Sequence, residues 1–259
     1  MRFASLGSGS KGNATLVQSD DTLVLIDCGF SVRETLARMA VQGIDPAQLA
    51  AIFVTHEHGD HVRGVLPLAR RLGVPVYLSH GTSRALAERG ARHDAGGVVL
   101  NEVRPGREVT VGALTITPVP VPHDAREPCQ YVLADTRHRL GVLTDLGMIT
   151  THVSDAYAAC DALVLECNHD MDMLANGRYP LSLKRRVGGQ WGHLNNRQAA
   201  SLVAELEQDR LQHLVLSHLS EENNTPAHAL EAVAQAGFDD DRRLRVANQA
   251  EGFPWLAVE

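Results

Sequence analysis

The sequence predicts an α/β fold in which two β-sheets pack as a sandwich with helices outside. Three observations lead there. Short β-rich runs alternate with helical patterns in the first half, residues 97–145 are nearly all strand-like, and the alternation returns in the second half. The chain has 259 residues, 44% of them hydrophobic and 21% charged, enough to bury a sizeable core. No repeat, low-complexity segment or Pro/Gly/Ser linker divides it, so one domain over 1–259 is the simplest organisation.

The N-terminal MRFASLG reads as a strand entering a glycine-rich turn, with strands at 13–18 and 22–27 after it. Residues 31–42 predict a helix capped by Ser31 and stopped by Gly43. A buried strand over Ala51–Thr55 precedes a helix over about Asp60–Leu72, a strand at 74–79 and a helix at 82–89. In the middle, VTVGALTITPVPVPH alternates, and its prolines suit an edge or a bend. CQYVLADTRHRLGVLTD predicts a hairpin turning at Asp135–His138. Beyond it the pattern predicts a helix near 150–158, a strand at 162–167, a helix at 196–207, a strand at 213–217 and a helix at 226–235. Strands near 244–248 and 253–258 complete the chain.

Composition narrows the function. The longest apolar runs are strand-sized, well short of the roughly 20 residues of a membrane-spanning helix. The N-terminal residues lack a secretory pattern, which predicts a cytoplasmic protein that does not enter membranes. Cys28, Cys129, Cys160 and Cys167 are scattered without a C-x-x-C pair and read as buried thiols in a reducing compartment. A formal net charge of −7 argues against a general polyanion-binding surface, but not against a phosphate held at a locally positive site. Thirteen histidines, several beside acidic residues, point to metal.

The strongest motif is His56-Glu57-His58-Gly59-Asp60-His61. His56 and His58 are two apart, so they point the same way at a strand end and far apart on a helix. Asp60 and His61 follow in the first turn of the next helix, and all four can face one cavity. A single histidine here would read as a polar turn residue; the whole cluster after a buried strand reads as a metal site. His123 in VPVPHD, Asp145 in GVLTDLG and His218 in LVLSHLS each lie just past a β run. Each has an ordinary structural reading by itself, and with the cluster they make a set of seven ligands. Imidazole and carboxylate suit zinc, manganese or iron, and a catalytic site keeps a position open for water.

With these residues in view, the sequence resembles the metallo-β-lactamase fold superfamily. Its pattern is matched by Asp27, His56, His58, Asp60, His61, His123, Asp145 and His218, across nearly the whole chain. The resemblance implies a four-layer αβ/βα sandwich with the site at one edge between the sheets. It implies that His56, His58 and His123 hold one divalent ion and Asp60, His61 and His218 a second, with Asp145 bridging. Asp27 would orient ligands through hydrogen bonds. The lactam-cleaving branch typically places a cysteine where Asp145 stands, so the aspartate favours a bridged pair of ions. Only 41 residues follow His218, little room for the C-terminal helical domain of glyoxalase II-like enzymes. The 72 residues between Asp145 and His218 are too few for the domain inserted in β-CASP nucleases.

The stretch from 145 to 218 resembles the transfer-RNA 3′-processing nucleases, where a strand-end glutamate pairs with a histidine that protonates the leaving oxygen. Glu166 in LVLEC and His193 in GHLNNRQAA match that pair, with Asn195 or Asn196 capping the helix that follows. The sequence is also similar to the YycJ/WalJ-type proteins, a bacterial branch regarded as DNA exonucleases. The residues that carry this likeness are Gly7 to Asn13, Glu166 to Asp170, Tyr179-Pro180, Leu183 to Arg186, Gly192 to Leu194 and His218 to Asn224.

These resemblances imply a two-metal-dependent phosphodiesterase acting on nucleic acid, expected to be a 5′-exonuclease on DNA rather than RNA. A metal-bridging hydroxide would be the nucleophile, Asp60 would belong to the catalytic set, and His193, oriented by Glu166, would donate a proton. Ser10, Asn13, His169, Lys184, Arg185 and Arg186 are expected at the substrate. His169 could equally be an added metal ligand, and Lys184–Arg186 a solvated helical face. An ester, thioester or lactone hydrolase using the same dinuclear site is the first alternative. A non-catalytic nucleic-acid-binding or regulatory protein is the second.

Overall fold

Continuous apolar strands whose alternate residues face opposite ways demand cover on both faces, and the chain supplies it with four layers. The computed structural model describes residues 1–90 and 96–259. Strands β1 (Arg2–Gly7), β2 (Ala14–Ser19) and β3 (Thr22–Ile26) form an antiparallel meander. Helix α1 (Val32–Val41) crosses to β4 (Leu49–Phe53), parallel to β3. Helices α2 (Gly59–Val62) and α3 (Val65–Leu72) lead to β5 (Val76–Ser79), and α4 (His80–Glu88) leads to β6 (Leu100–Val103), both added in parallel.

The second sheet begins with the antiparallel strands β7 (Val109–Val111), β8 (Leu114–Pro120), β9 (Cys129–Ala134) and β10 (Arg139–Leu143). Helix α5 (Thr151–Tyr157) then connects to β11 (Ala162–Glu166). Helices α6 (Met171–Asn176), α7 (Leu181–Val187) and α8 (Asn196–Glu205) precede β12 (His213–Ser217). Helix α9 (Pro226–Gln235) precedes β13 (Leu244–Val246), and β10 to β13 pair in parallel. Strand β14 (Phe253–Ala257) returns to pair antiparallel with β1. The sheet orders are β14-β1-β2-β3-β4-β5-β6 and β13-β12-β11-β10-β9-β8-β7.

The period of two along each strand divides the core. Val17, Val24, Ile26 and Phe53 face Tyr131, Leu133, Val142 and Val164 between the sheets. Their neighbours Leu16, Leu23, Leu25 and Ile52 turn outward to Met39 of α1 and Leu68 of α3. On the other side Leu163, Leu165, Leu214 and Leu216 pack against Ala199, Leu202 and Val203 of α8 and Val233 of α9. Among the described residues, no helix is long and apolar enough to cross a membrane.

The hairpin turns where expected: Asp135 Oδ1 accepts from Arg137 N and His138 N, both at 2.8 Å. Pro118 and Pro120 lie in β8 beyond the last residue paired with β7, so the interior strand is locally an edge there. Asn195 is the α8 cap, in a reciprocal capping box with Gln198. Three expectations need correction. The single helix over 60–72 is broken at Gly64, whose N–H donates to Cys28 O at 2.8 Å. A Cβ there would meet the Phe30 carbonyl, so the chain must turn aside. The nearly continuous strand region is interrupted at 121–128 by the loop that carries His123. Helix α6 was not foreseen, and α7 only as the helical face weighed for Lys184–Arg186; both are short and lack an apolar stripe long enough to announce them.

Candidate metal centre

The parallel strands of both sheets end toward one place, and the residues just past those ends are polar. Asp27 follows β3, Thr55 and His56 follow β4, Asp145 follows β10, Glu166 ends β11, and His218 follows β12. The β8–β9 loop adds His123. Asp27 and His218 have φ of 60° and 53°, left-handed values that cost a non-glycine residue about 1–3 kcal/mol. Buried hydrogen bonds hold both in place. Asp27 N donates to Phe53 O at 2.8 Å, its carboxylate accepts from Thr55 N and Thr55 Oγ1 at 2.8 Å each, and His218 N donates to Ser8 Oγ at 2.8 Å.

These bonds set the histidine tautomers. His61 Nδ1 lies 2.7 Å from Asp27 Oδ2, and the carboxylate can only accept. Thr55 Oγ1 gives its proton to Asp27 and so accepts from His56 Nδ1 at 2.9 Å. His123 Nδ1 donates to Gly192 O at 2.9 Å. In all three rings Nδ1 is committed, which leaves Nε2 as the nitrogen available to a metal, the usual preparation of a metal-binding imidazole.

Potential ligand atoms then gather within 4.8 Å of one another in overlapping groups. His56, His58 and His123 form one triad; Asp60, His61 and His218 form another. Asp145 joins His56 and His61 in a third group, so it touches both triads. Its Oδ2 is 3.2 Å from His61 Nε2, and its Oδ1 is 3.5 Å from His218 Nε2.

The donors fit divalent cations. His56 Nε2 and His218 Nε2 are buried without a hydrogen-bond partner, and Asp145 Oδ2 faces His61 without hydrogen-bond geometry. A buried polar atom left unpaired costs about 1–3 kcal/mol, and here all three belong to one cavity. The electrostatics agree. Burial alone would lower the pKa of His61, but Asp145, Asp27 and Asp60 outweigh it and hold it well above the ordinary value. His218 is pushed up to about 9 in the same way, burial being overcome by Asp145, Asp60 and Glu166. Carboxylates in excess create a place that calls for positive charge.

Beside the triads, the buried carboxylate of Glu166 has Oε1 2.7 Å from His193 Nδ1. Its Oε2 accepts from Leu194 N at 2.9 Å and Leu146 N at 3.1 Å, so the carboxylate cannot swing. The His193 ring keeps 21% exposure, stacks on His218 at 5.3 Å and meets His123 edge-on at 5.2 Å.

Residues 22–219 match a family described as "Beta-lactamase superfamily domain". The chain belongs to the metallo-β-lactamase superfamily. It is 34% identical to Exodeoxyribonuclease YycJ of Bacillus anthracis over 91% of this chain and 88% of that protein. It is 30% identical to Exodeoxyribonuclease WalJ of Streptococcus pneumoniae over 86% of this chain and 83% of that one. Among solved structures, the metallo-β-lactamase fold protein YhfI from Bacillus subtilis superposes with a TM-score of 0.74 at 21% identity, covering 98% of both chains. The superfamily is one of hydrolases, its fold implies divalent metal ions, and the YycJ/WalJ-type resemblance read from the sequence is the one these relatives display.

The expected substrate residues are distributed differently around the superfamily site. Ser10 is exposed on its turn. Asn13 instead lies buried inside that turn: its amide donates to Gly9 O at 3.1 Å and reaches to 3.1 Å from His61 Nε2, tying the turn to the centre. His169 is buried against Asn168 and stands in none of the ligand groups found among the described residues. Lys184 Nζ donates to Ala175 O at 2.7 Å, and Arg186 pairs with Asp124 at 2.5 Å. Arg185 is exposed and makes no ion pair among the described residues.

Sequence reasoning missed three residues. Thr55 links Asp27, His56 and His61. Asp124 lies 3.7 Å from His58 and 3.5 Å from His123. Asn168 donates to His218 O at 2.9 Å. Each adjoins a residue already singled out, in VTHEH, VPHD and ECNHD; adjacency was the signal for Thr55 and Asp124, and Asn168 lay within the Glu166 to Asp170 stretch without a role assigned to it.

Gly29 makes the approach of two loops possible. Its N–H donates to Asn13 O at 3.0 Å, Asn13 N donates to Asp60 O at 2.8 Å, and a Cβ on Gly29 would overlap the Asp60 carbonyl. Gly29→Ala is expected to cost about 3 kcal/mol, the upper end of overpacking, and to lower Tm by about 6–12 °C. A thermal melt indistinguishable from the parent's would refute that packing argument.

Proposed function

We propose that this chain is a two-metal-dependent nuclease that degrades DNA from the 5′ end. In this reading it is one hydrolase domain over residues 1–259, working in the cytoplasm, where its four buried free cysteines stay reduced. The observation that carries the reading is the 2.7 Å Glu166–His193 contact beside two ligand triads joined by Asp145. The exodeoxyribonuclease names of the two relatives support DNA as the substrate.

His56, His58 and His123 would hold one divalent ion and Asp60, His61 and His218 the other, with Asp145 shared. Zinc or manganese suits this donor set, and iron is compatible. Bound ions supply positive charge opposite the phosphate oxygens and a water of lowered pKa. The protein's own work is orientation and proton transfer. Asp27 holds His61, Thr55 holds His56, and the Gly192 carbonyl holds His123, so each Nε2 is aimed before any ligand arrives. His193, anchored through Nδ1, offers its other nitrogen to the leaving oxygen as an acid. Burial disfavours its protonated form, but Glu166 and Asp145 overcome this and raise its pKa. Arg185, exposed and without an ion pair among the described residues, would meet a backbone phosphate.

The test is a screen of end-labelled single- and double-stranded DNA and RNA with Mn²⁺, Zn²⁺ or chelator. The expected result is metal-dependent release of the 5′ label from DNA, with RNA cut more slowly. Absence of cleavage with either metal, or cleavage that a chelator leaves untouched, would sink the proposal. A small ester turned over equally well by His193→Ala would favour the ester-hydrolase reading. Tight DNA binding without turnover would favour a binding protein.

The supporting carboxylate has its own consequence. Asp27→Ala is expected to weaken metal binding by about 10–100-fold, measured by competition with a chromophoric chelator. An unchanged affinity would mean that Asp27 does not act through His61.

A further inference from the structure

Between Glu166 and His193 the chain leaves the sheet and builds a small excursion, α6, α7 and a glycine-flanked turn, before α8 begins. Two features set it apart. Residues 171–192 carry Arg178, Lys184, Arg185 and Arg186 against Asp172 alone, within a chain of net charge −7. They also carry Met171, Leu181 and Trp191, three of the five exposed large hydrophobic side chains among the described residues. Apolar surface and positive charge in one exposed segment suit a polyanion with flat apolar faces better than they suit solvent.

Trp191 is the focus. The residue is 63% exposed, whereas the other tryptophan, Trp255, donates to Gln42 O at 3.0 Å and packs against Arg2. The backbone around Trp191 is nevertheless fixed. Gly192 N donates to Gly189 O at 2.9 Å and His193 N to Val187 O at 2.8 Å, closing the turn on the end of α7. Trp191 is two residues, about 7 Å of chain at most, from the histidine assigned as proton donor. Gly192, between them, also anchors His123. An exposed indole on a fixed backbone, two residues from His193, suits a flat apolar ligand face.

We infer that Trp191 stacks on a nucleobase next to the scissile phosphate, while Arg185 of the same excursion holds the strand's backbone. The inference rests on the nuclease reading and deepens it: the substrate is a strand whose base beside the scissile phosphate is unpaired and unstacked, because a base inside a duplex has both faces covered by its neighbours. Stacking tolerates any base, so the platform sets strand state rather than sequence. The fixed backbone beneath it lowers the ordering cost of binding.

The experiment compares Trp191→Ala and Trp191→Phe with the parent enzyme, loaded with Mn²⁺. The substrates are a single-stranded deoxyoligonucleotide and bis(p-nitrophenyl) phosphate, a diester without a base. Trp191→Ala is expected to reduce the preference for the oligonucleotide over the base-free diester by about 5- to 150-fold, through KM, and Trp191→Phe to restore most of it. In a Trp255→Phe background, fluorescence from Trp191 should be quenched as oligonucleotide is added. Equal loss on both substrates would assign Trp191 a structural role, and an unchanged KM with unquenched fluorescence would overturn the inference. Loss of binding to anionic lipid vesicles in Trp191→Ala, with the oligonucleotide KM unchanged, would assign the surface to a membrane instead. If the parent enzyme cuts no DNA, it is the nuclease reading that fails.

Discussion

Asp145→Ala is expected to lower DNA turnover by at least about 1,000-fold, roughly 4 kcal/mol of transition-state stabilisation, and to reduce the metal bound per chain. The reason is its position. Asp145 is 1% exposed, and one of its oxygens is 3.2 Å from His61 while the other is 3.5 Å from both His218 and His193. One carboxylate therefore touches the second triad and the Glu166–His193 pair, and it groups with His56 of the first triad as well. On the proposed reading, replacing it removes a shared ligand, together with a negative charge from a cluster crowded with imidazoles. Burial raises the Asp145 pKa, yet His218, His61 and His56 more than offset this and hold it well below the ordinary value. The measurement pairs steady-state turnover with metal analysis and a circular dichroism spectrum. A folded Asp145→Ala enzyme that keeps two metals and most of its turnover would eliminate the bridging assignment.

His193→Ala is expected to lower kcat by about 10²–10⁴-fold, the usual worth of a positioned general acid, without loss of metal. The deficit should shrink on a diester with a nitrophenolate leaving group, which departs without a proton. Equal deficits on both leaving groups would remove His193 from the acid role. Glu166 gives a second handle through pH. The acid form of His193 exists below its pKa and is lost as pH rises through it. Against the lowering effect of burial, Glu166 is the largest influence that raises this pKa. Glu166→Gln should therefore move the alkaline limb of the kcat profile to lower pH, and a limb that stays in place would contradict the pairing.

The elements legible in the sequence are those whose signals are local. Helix α9 begins with Thr225 capping and Pro226 in the first turn, so its bounds of 226–235 could be read directly. Strand β12 is an apolar run that ends where serine and histidine begin. The break at Gly64 was not legible, because its causes, Cys28 and Phe30, lie more than thirty residues away. Helices α6 and α7 are held by the Asp170 cap and by the Lys184 contact to Ala175 rather than by an amphipathic stripe. Pattern reading met α6 nowhere and α7 only as the basic run Lys184–Arg186.

The same division runs through the metal centre. His56, His58, Asp60 and His61 could be chosen from the sequence because ligand chemistry belongs to the side chain and the spacing follows from a strand ending in a helix. So could His123, Asp145 and His218 as candidates, since each follows a β run. What the sequence by itself determined is thus the inventory of donors, the two-sheet architecture and the pairing of Glu166 with His193 as an expectation. The tertiary structure alone decided which donors stand within 4.8 Å of one another and which nitrogen of each ring is free. It also turned Asn13 inward and left Trp191 outside. The physical reason is that residue type is carried by one position, whereas distance, tautomer and exposure depend on segments distant along the chain meeting across two packed sheets.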